Sequence, residues 1–324
     1  MQLGKVLYLS RHDVEAVNLP MRDIIDALDQ MFKEKGEGKV EMPPKPGIHT
    51  QPDAFIHAMP AYIPSLKSAG LKWVSGYPAN QQKGLPYITG LLILNDPETG
   101  VPIAIMDCAW ITAKRTGAAT AVAARYLARS DSASVGILAC GVQGRSNLEA
   151  LACLFKITKV KAYDLYPEVA ERYARDMSEQ LPIEIEPAPS AEQAVRNLDI
   201  VVTSGPILKH PQPAIEPGWL AKGSFASAVD FDSYWTGAAL REIDRLATDD
   251  HAQMEYYRRE GYFKETPQPY ADLGELAAGK KPGRQSNDER TLSINLGLAL
   301  DDMATAIRIY QMARAKGIGV ELPL

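Results

Sequence analysis

Two rhythms of apolar and polar positions divide the chain. From Met21 to Lys35 the apolar residues recur every three or four positions, which predicts a helix. Met42 to Pro64 holds six prolines, which exclude a regular helix. Between Leu71 and Asp107 the pattern changes to strands: LKWVSGY and ITGLLILND are rich in β-branched and aromatic residues, and DPETG between two apolar runs reads as a hairpin turn. From residue 117 to 290 short apolar runs (SASVGILAC, KVKAYDLY, DIVVTSG, GSFASAVD) alternate with amphipathic stretches. RSNLEALACLFK is one, and PEVAERYARDMSEQ is a helix opened by Pro167. Ser190 and Gln193 suggest a capping box before another. Strands alternating with helices predict a parallel sheet covered on both faces. From Leu292 the chain starts as a strand and becomes a long helix with Met303, Ile307, Tyr310 and Ala313 on one face, ending at Gly317. This tail is expected to pack back on the N-terminal region.

Length and charge narrow the function classes. At roughly 100–200 residues per domain, 324 residues suggest two domains or one large one. The formal net charge of −5, without a basic cluster, argues against nucleic acid, and no tryptophan spacing resembles a base-stacking platform. No apolar run approaches the roughly 18–20 residues that span a bilayer. MQLGKVLYLS lacks the parts of a secretory signal. Cys108, Cys140 and Cys153 include no C-x-x-C pair, so half-buried thiols in a reducing cytoplasm are expected rather than disulfides or a thiolate zinc site. The five histidines are scattered and no H-E-x-x-H occurs, so no metal is expected. His49 and His57 flank the Pro-rich stretch and read either as pocket residues or as loop histidines without a chemical role. No G-x-S-x-G elbow or phosphate-binding P-loop is present.

The sharpest local signal is V-G-I-L-A-C-G-V-Q-G-R-S, residues 135–146. A buried strand enters a turn containing Gly141 and Gly144, and a helix follows. Glycines there let backbone approach a pyrophosphate, while the helix N-terminus offers free N–H groups and a positive dipole. Ala139 replaces the first glycine of the usual G-x-G-x-x-G, so by itself the segment also reads as a plain strand–helix turn. Asp164 lies 23 residues beyond Gly141 at the end of the next strand, the place of a carboxylate that accepts ribose hydroxyls. There it would repel a 2′-phosphate and favour NAD(H); read alone it is a solvated strand-end residue. Asp230 ends a later strand, where either chemistry or a helix cap is expected.

Four stretches carry a resemblance to a known family. They are L-K-W-V-S-G-Y-P-A-N (71–80), G-L-P-Y-I-T-G through D-P-E-T-G-V-P (84–102), W-I-T-A-K-R-T-G-A-A-T (110–120) with the glycine loop after it, and N-L-G-L-A-L-D-D-M-A-T-A (295–306). In this order the chain resembles the ornithine cyclodeaminase/mu-crystallin family over essentially its whole length. The resemblance implies an α/β fold: a Rossmann-type doubly wound parallel-sheet domain, residues 117–296, and an α+β substrate and dimerisation domain built from both chain ends, residues 1–116 and 297–324. It implies an NAD-dependent enzyme that oxidises the α-amine of a small amino acid, or reduces the imine, as a cyclodeaminase or amino-acid dehydrogenase. A ketimine reductase acting on cyclic imino acids is the alternative, and so is a non-catalytic mu-crystallin-like binding protein. A cytoplasmic homodimer is expected, with an amino or imino acid as partner and neither nucleic acid nor membrane.

The same resemblance implies residue roles. Lys72 contacts substrate and assists proton transfer, Arg115 holds the substrate carboxylate near the cofactor, and Asp230 is the general acid/base. Gly141, Val142 and Gln143 take the pyrophosphate and Asp164 the ribose. Ser204, Ser227, Ala228 and Val229 line the cofactor, and Leu296 and Gly297 close the pocket. Lys45 is expected to bind substrate, since it stands where the family often has an arginine that binds the substrate carboxylate, although lysine cannot make the bidentate fork. Tyr87 replaces a threonine, and Tyr234 and Trp235 are bulkier than usual after Asp230. Asp232 or Asp301 would suit the distal amine of an ornithine. The apolar run Leu91–Leu94 reads as core or as interface material in an interaction module.

Overall fold

The computed structural model describes residues 4–324. The chain divides into two compact units, Met1–Arg115 with Leu298–Leu324, and Thr116–Gly297.

The first unit opens with β1 (Lys5–Leu9), α1 (Arg11–Val17) and α2 (Met21–Gly36), followed by β2 (Gly47–Ile48), β3 (Phe55–Ile63), β4 (Ser68–Gly76), β5 (Ile88–Asn95) and β6 (Pro102–Asp107). A reciprocal capping box of Ser10 and Asp13 starts α1. β3 runs through the Pro-rich stretch, which the sequence left without an element. Pro60 is tolerated because the outer side of β3 is paired only in places: β2 takes Ile56 and His57, Ala58 donates to the Pro46 carbonyl oxygen and Tyr62 bridges Glu41, with Pro60 between these contacts. The DPETG segment does turn: Asp96 Oδ1 accepts the amides of Glu98 and Thr99, and Gly100 takes φ +75°.

The helix α3 (Ala109–Leu127) leads into the second unit, which holds β7 (Ser134–Leu138), α4 (Val142–Ala152), β8 (Lys159–Tyr163), α5 (Pro167–Gln180), β9 (Glu184–Pro187), β10 (Ile200–Thr203) and β11 (Phe225–Ala228). There follow α6 (Gly237–Leu240), β12 (Arg245–Thr248), α7 (His251–Arg259), β13 (Ala271–Asp272), α8 (Leu273–Ala277) and β14 (Thr291–Ile294). All these strands are parallel, in the order β13-β12-β14-β11-β10-β7-β8-β9. The order reverses direction at β7 and β10, the switch point of a doubly wound sheet. The four residues of each of β10, β11 and β14 are all buried, which is why they read as apolar runs without alternation.

The helix expected after Ser190 does not form. Ser190 Oγ accepts the Gln193 amide at 3.3 Å, but the following residues make turns that end at Asn197 with φ +58°. The cap is present, yet a left-handed residue stops the chain before a helix can propagate.

The chain returns to the first unit through α9 (Ala299–Lys316) and β15 (Val320–Pro323). α9 ends at Gly317 in the left-handed conformation and packs on α1, α2, β3, β4 and β5, as the tail's apolar face predicted. The first sheet is mixed, in the order β15-β1-β6-β5-β4-β3-β2. One of its faces buries Met59, Val74, Leu92 and Met106. On the other, Trp73 lies opposite Leu91 across β4 and β5, with 46% and 45% of their surfaces exposed.

Close packing in the second unit sets one sharp test. A Cβ added at Gly136 in β7 would lie 1.8 Å from the Ala194 carbonyl oxygen. Gly136→Ala is expected to lower stability by about 1–3 kcal/mol or more, read as a fall in the urea midpoint.

Candidate functional site

In the first unit, side chains from three elements form a buried ionic cluster. Lys72 points from β4 to the core side, Arg115 comes from α3, and Asp301 and Asp302 open α9. Lys72 Nζ lies 2.7 Å from Asp302 Oδ2 and donates to Thr112 Oγ1 at 3.3 Å. Arg115 Nε donates to Asp302 Oδ1 at 3.1 Å, and Arg115 Nη1 reaches Asp301 Oδ2 at 3.5 Å. Asp301 Oδ2 also accepts the Leu298 amide at 3.0 Å, capping α9. Asp302 therefore bridges the lysine and the arginine. Burial and the neighbouring Arg115 charge push the Lys72 ammonium below its ordinary pKa, against the pull of Asp302.

Lys45 is also buried, ahead of β2. Its charge is felt at His57, whose pKa falls to about 3 through burial and through Lys45, His49 and Lys72. His57 is thus neutral at any physiological pH, and it stacks on Phe55 with ring centroids 4.2 Å apart. The structure brings Lys45, His49, His57 and Lys72 into one electropositive neighbourhood. Cys108 faces Lys72 but is pushed up to about 11 by burial, so it stays a thiol. Tyr87, just ahead of β5, is half-buried.

The second unit gathers its candidates at the carboxyl ends of its strands. After β7, Ala139 takes φ +71° and Gly141 becomes the N-cap of α4. A Cβ at Gly144 would meet the Ala139 carbonyl oxygen at 2.6 Å, so close strand–helix packing requires that glycine. Gly141 is different: its φ is −78° and a Cβ there would meet no atom within 4 Å. Neither sterics nor backbone conformation within the chain accounts for it. Val142, the first residue of α4, is 66% exposed; Gln143 is half-buried.

Asp164 lies just past β8. Its Oδ2 accepts the Cys140 amide at 2.9 Å and its Oδ1 the Tyr166 amide at 3.1 Å, which fix the carboxylate against the glycine turn. Ser204, just past β10, donates to the Ala139 carbonyl oxygen at 2.8 Å. The turns after β7 and β10 are thus joined at the switch point.

Asp230 is fully buried two residues past β11. Thr203 Oγ1 donates to its Oδ1 at 2.6 Å, while Oδ2 makes no hydrogen bond of normal geometry. Burial raises the carboxyl to about 7, and the Thr203 bond offsets part of that rise. Asp232 is raised by burial too, and its Oδ2 accepts from Thr266 at 2.7 Å. Tyr234 lies among Asp230, Asp164, Tyr163 and Cys140, with its hydroxyl pKa raised chiefly by burial.

The other predicted residues are placed less openly. Ser227 is fully buried, with its hydroxyl engaged by Thr120 at 2.8 Å and Asn295 at 3.1 Å. Ala228 is buried in β11 and Val229 half-buried beyond it. Leu296 is buried, and Gly297 takes φ +79° while donating to Asp249 Oδ2 at 2.7 Å. Sequence reasoning passed over Asp302, Thr112, Thr203 and Asp249. Asp302 lies in N-L-G-L-A-L-D-D, Thr112 in W-I-T-A-K-R-T and Thr203 in DIVVTSG, but none of the three was given a role. Cys108, Cys140 and Cys153 are unbridged, and Cys140 is pushed up to about 12 by burial. Among the described residues, no group of three or more His, Cys, Asp or Glu could hold a metal ion. No helix there is long and apolar enough to cross a membrane.

Comparison with known proteins follows the same lines. The sequence profile of the ornithine cyclodeaminase/mu-crystallin family matches residues 5–317. The nodulation efficiency protein NfeD of Rhizobium meliloti is 34% identical over 98% of each chain. The structure of Thermococcus litoralis Δ1-pyrroline-2-carboxylate reductase, in complex with NADH and L-proline, superposes with a TM-score of 0.89. It is 35% identical, over 98% of this chain and 100% of the other. An archaeal alanine dehydrogenase dimer with bound NAD gives a TM-score of 0.88 at 33% identity, over 98% and 99% of the two chains.

The Asp230 environment makes stability depend on pH. The unfolded carboxyl ionises near 3.8 and the folded one near 7, so between those values the folded chain keeps a proton that the unfolded chain has released. This contribution is complete below the unfolded value and is lost as pH rises through the folded one. Measured against Asp230→Asn by urea unfolding, the wild type is expected to lose about 1.4 kcal/mol per pH unit across that window.

Proposed function

The chain belongs to the ornithine cyclodeaminase/mu-crystallin family, and from that premise we propose that it is an NAD(H)-dependent enzyme acting at the Cα–N bond of a small amino or imino acid. It oxidises the α-amine or reduces the corresponding imine, as a dehydrogenase, imine reductase or cyclodeaminase. The observation that carries this reading is Asp230: a fully buried carboxyl at the end of a parallel strand, titrating near neutrality.

The residues present fit the dinucleotide. Gly141 leaves open space at the N-terminus of an eleven-residue helix, where a pyrophosphate gains N–H donors and a favourable dipole. Gly141, Val142 and Gln143 would hold it. Asp164 keeps acceptor capacity beyond its two backbone bonds, which suits ribose hydroxyls and disfavours a 2′-phosphate. Ser204 and Val229 would border the cofactor, while Ser227 and Ala228 support that wall from within β11. When bound, the nicotinamide would accept or return a hydride at the substrate Cα.

The chain's own side chains would manage charge and protons. Lys72 and Arg115, with Lys45 nearby in charge, supply cationic groups for a carboxylate. Asp302 holds Lys72 and Arg115 in place. An ammonium must lose a proton before its Cα–H bond can break as hydride, and a carboxyl near neutrality can hold that proton and return it. Lys72, lowered by burial, would assist proton transfer. Leu296 and Gly297 would close the pocket.

A coupled assay tests this reading. NADH absorbance is followed with L-alanine, L-ornithine, L-lysine, pyruvate plus ammonia, and cyclic imines such as Δ1-pyrroline-2-carboxylate. Turnover of at least one substrate is expected, with a loss of about 10²–10⁴-fold in Asp230→Asn. Gly141→Val should weaken NADH binding in a fluorescence titration while leaving the thermal melt unchanged. Tight NADH binding with no turnover on the whole panel would favour a mu-crystallin-like binding protein.

A cytoplasmic homodimer completes the proposal. Unbridged cysteines suit a reducing compartment, and the Trp73–Leu91 face is apolar surface that a second copy would cover. Trp73→Glu combined with Leu91→Lys is expected to halve the mass seen by light scattering.

A further inference from the structure

Two side chains outside the predicted site fix the direction of one hydrogen bond to Asp230. Trp235 Nε1 lies 3.3 Å from Thr203 Oγ1, and Thr203 Oγ1 lies 2.6 Å from Asp230 Oδ1. All three residues belong to the second unit, and all are buried. An indole N–H can only donate, so the Thr203 hydroxyl must accept from it. A hydroxyl has one proton and two lone pairs, and among the described residues Oδ1 is the acceptor for that proton; were Oδ1 itself protonated, the Thr203 proton would be left without one. Oδ1 is thereby an acceptor whether or not Asp230 is protonated.

We propose that Trp235 and Thr203 are positioning residues, a donor relay that confines the exchangeable proton of Asp230 to Oδ2. The second carboxyl oxygen is the one without a hydrogen bond of normal geometry, so its proton is not committed to any protein acceptor. Without Trp235, the Thr203 hydroxyl could turn and accept from a protonated Oδ1, dividing the acid between two forms. The relay thus gives the acid one orientation and also stabilises its ionised form. The titratable groups facing Asp230 are Asp232 from the same segment and Tyr234 just beyond. Both are themselves shifted upward, chiefly by burial. Tyr234 also faces Asp164, Tyr163 and Cys140. None of these groups donates to Oδ1 in place of Thr203.

The proposal rests on the acid/base role of Asp230 given above, but its test does not need turnover. The carboxyl stretch of Asp230 is followed by infrared difference spectroscopy across pH, on the full-length protein without ligands, with Asp230→Asn as the blank. Wild type should show one protonated carboxyl band titrating near pH 7. Thr203→Val removes a donor to the carboxylate and should raise the midpoint by about one to two pH units. Its protonated band should move to higher frequency, because the carbonyl oxygen Oδ1 loses its donor. Thr203→Ser should restore both values. Trp235→Phe should raise the midpoint less and split the band in two. An unchanged midpoint and frequency in Thr203→Val would overturn the relay, and a single wild-type band in Trp235→Phe would overturn the part given to the indole. If Thr203→Val does not fold, the serine and phenylalanine variants still decide: Trp235→Phe must change the band and Thr203→Ser must not. A titration that behaves as expected in a protein with no turnover would leave the relay standing and remove the proposed function instead.

Discussion

The central strands of the second sheet are parallel and buried on both faces, and that constraint decides where its chemistry can lie. A strand packed on both sides has no surface to offer a ligand. Only the turn after each strand escapes, and in a parallel sheet all those turns gather at one end. Gly141, Asp164, Ser204 and Asp230 follow β7, β8, β10 and β11. They come from four separate places in the sequence, and the sheet brings them to one edge. Within that edge the hydrogen bonds are local and specific: Asp164 holds the turn of the glycine loop, and Ser204 ties the neighbouring turn to it.

The first unit solves a different problem. It buries two aspartates with a lysine and an arginine beneath a sheet that otherwise packs hydrophobic residues. Replacing such a group by apolar side chains of similar size is often neutral or stabilising, so the cluster is weak as a stabilising device. Breaking it is another matter, since one lost partner typically costs about 3–5 kcal/mol by leaving a buried charge uncompensated. What the arrangement does is fix two cationic groups where water is scarce. Asp302 takes one oxygen to each cation, which fixes Lys72 and Arg115 relative to each other. Asp301 is held in turn by the amide of Leu298, the N-cap of α9.

Much of the architecture was legible in the sequence because burial on two faces writes itself as unbroken apolar runs. VGIL, IVVT and FASA could be read as strands for that reason, and Pro167 marked the start of α5. The elements that escaped are those whose order comes from neighbours. β13 has two residues and β12 four, too few for a pattern, and they are strands only because β14 lies beside β12. Pro60 hid β3, since whether a proline stands on a paired or an open edge is decided by the partner strand. Ser190 misled in the opposite direction, because a cap is a local feature whereas helix propagation is not. For the candidate site, the strand end left Asp230 open between chemistry and a helix cap, and the family resemblance singled it out. Its pKa could be read from neither, because that depends on complete burial and on Thr203, 27 positions away. The link between Lys72 and Asp302 spans most of the chain and leaves no local signature.

The two titratable groups that matter most are tuned in opposite directions by the same cause. Burial penalises charge, so it raises the carboxyl of Asp230 and lowers the ammonium of Lys72. Each is then partly corrected by its neighbours: the Thr203 hydroxyl and the backbone amides of Asp230 and Gly205 favour the aspartate's ionised form, and chiefly the Asp302 carboxylate favours the lysine's protonated form. For Asp230 the partial correction leaves the carboxyl near 7, a pH at which it can both give and take a proton. Thr203 contributes the first part of this with a hydrogen bond rather than a full countercharge. A countercharge in its place would be left uncompensated whenever the carboxyl took up a proton.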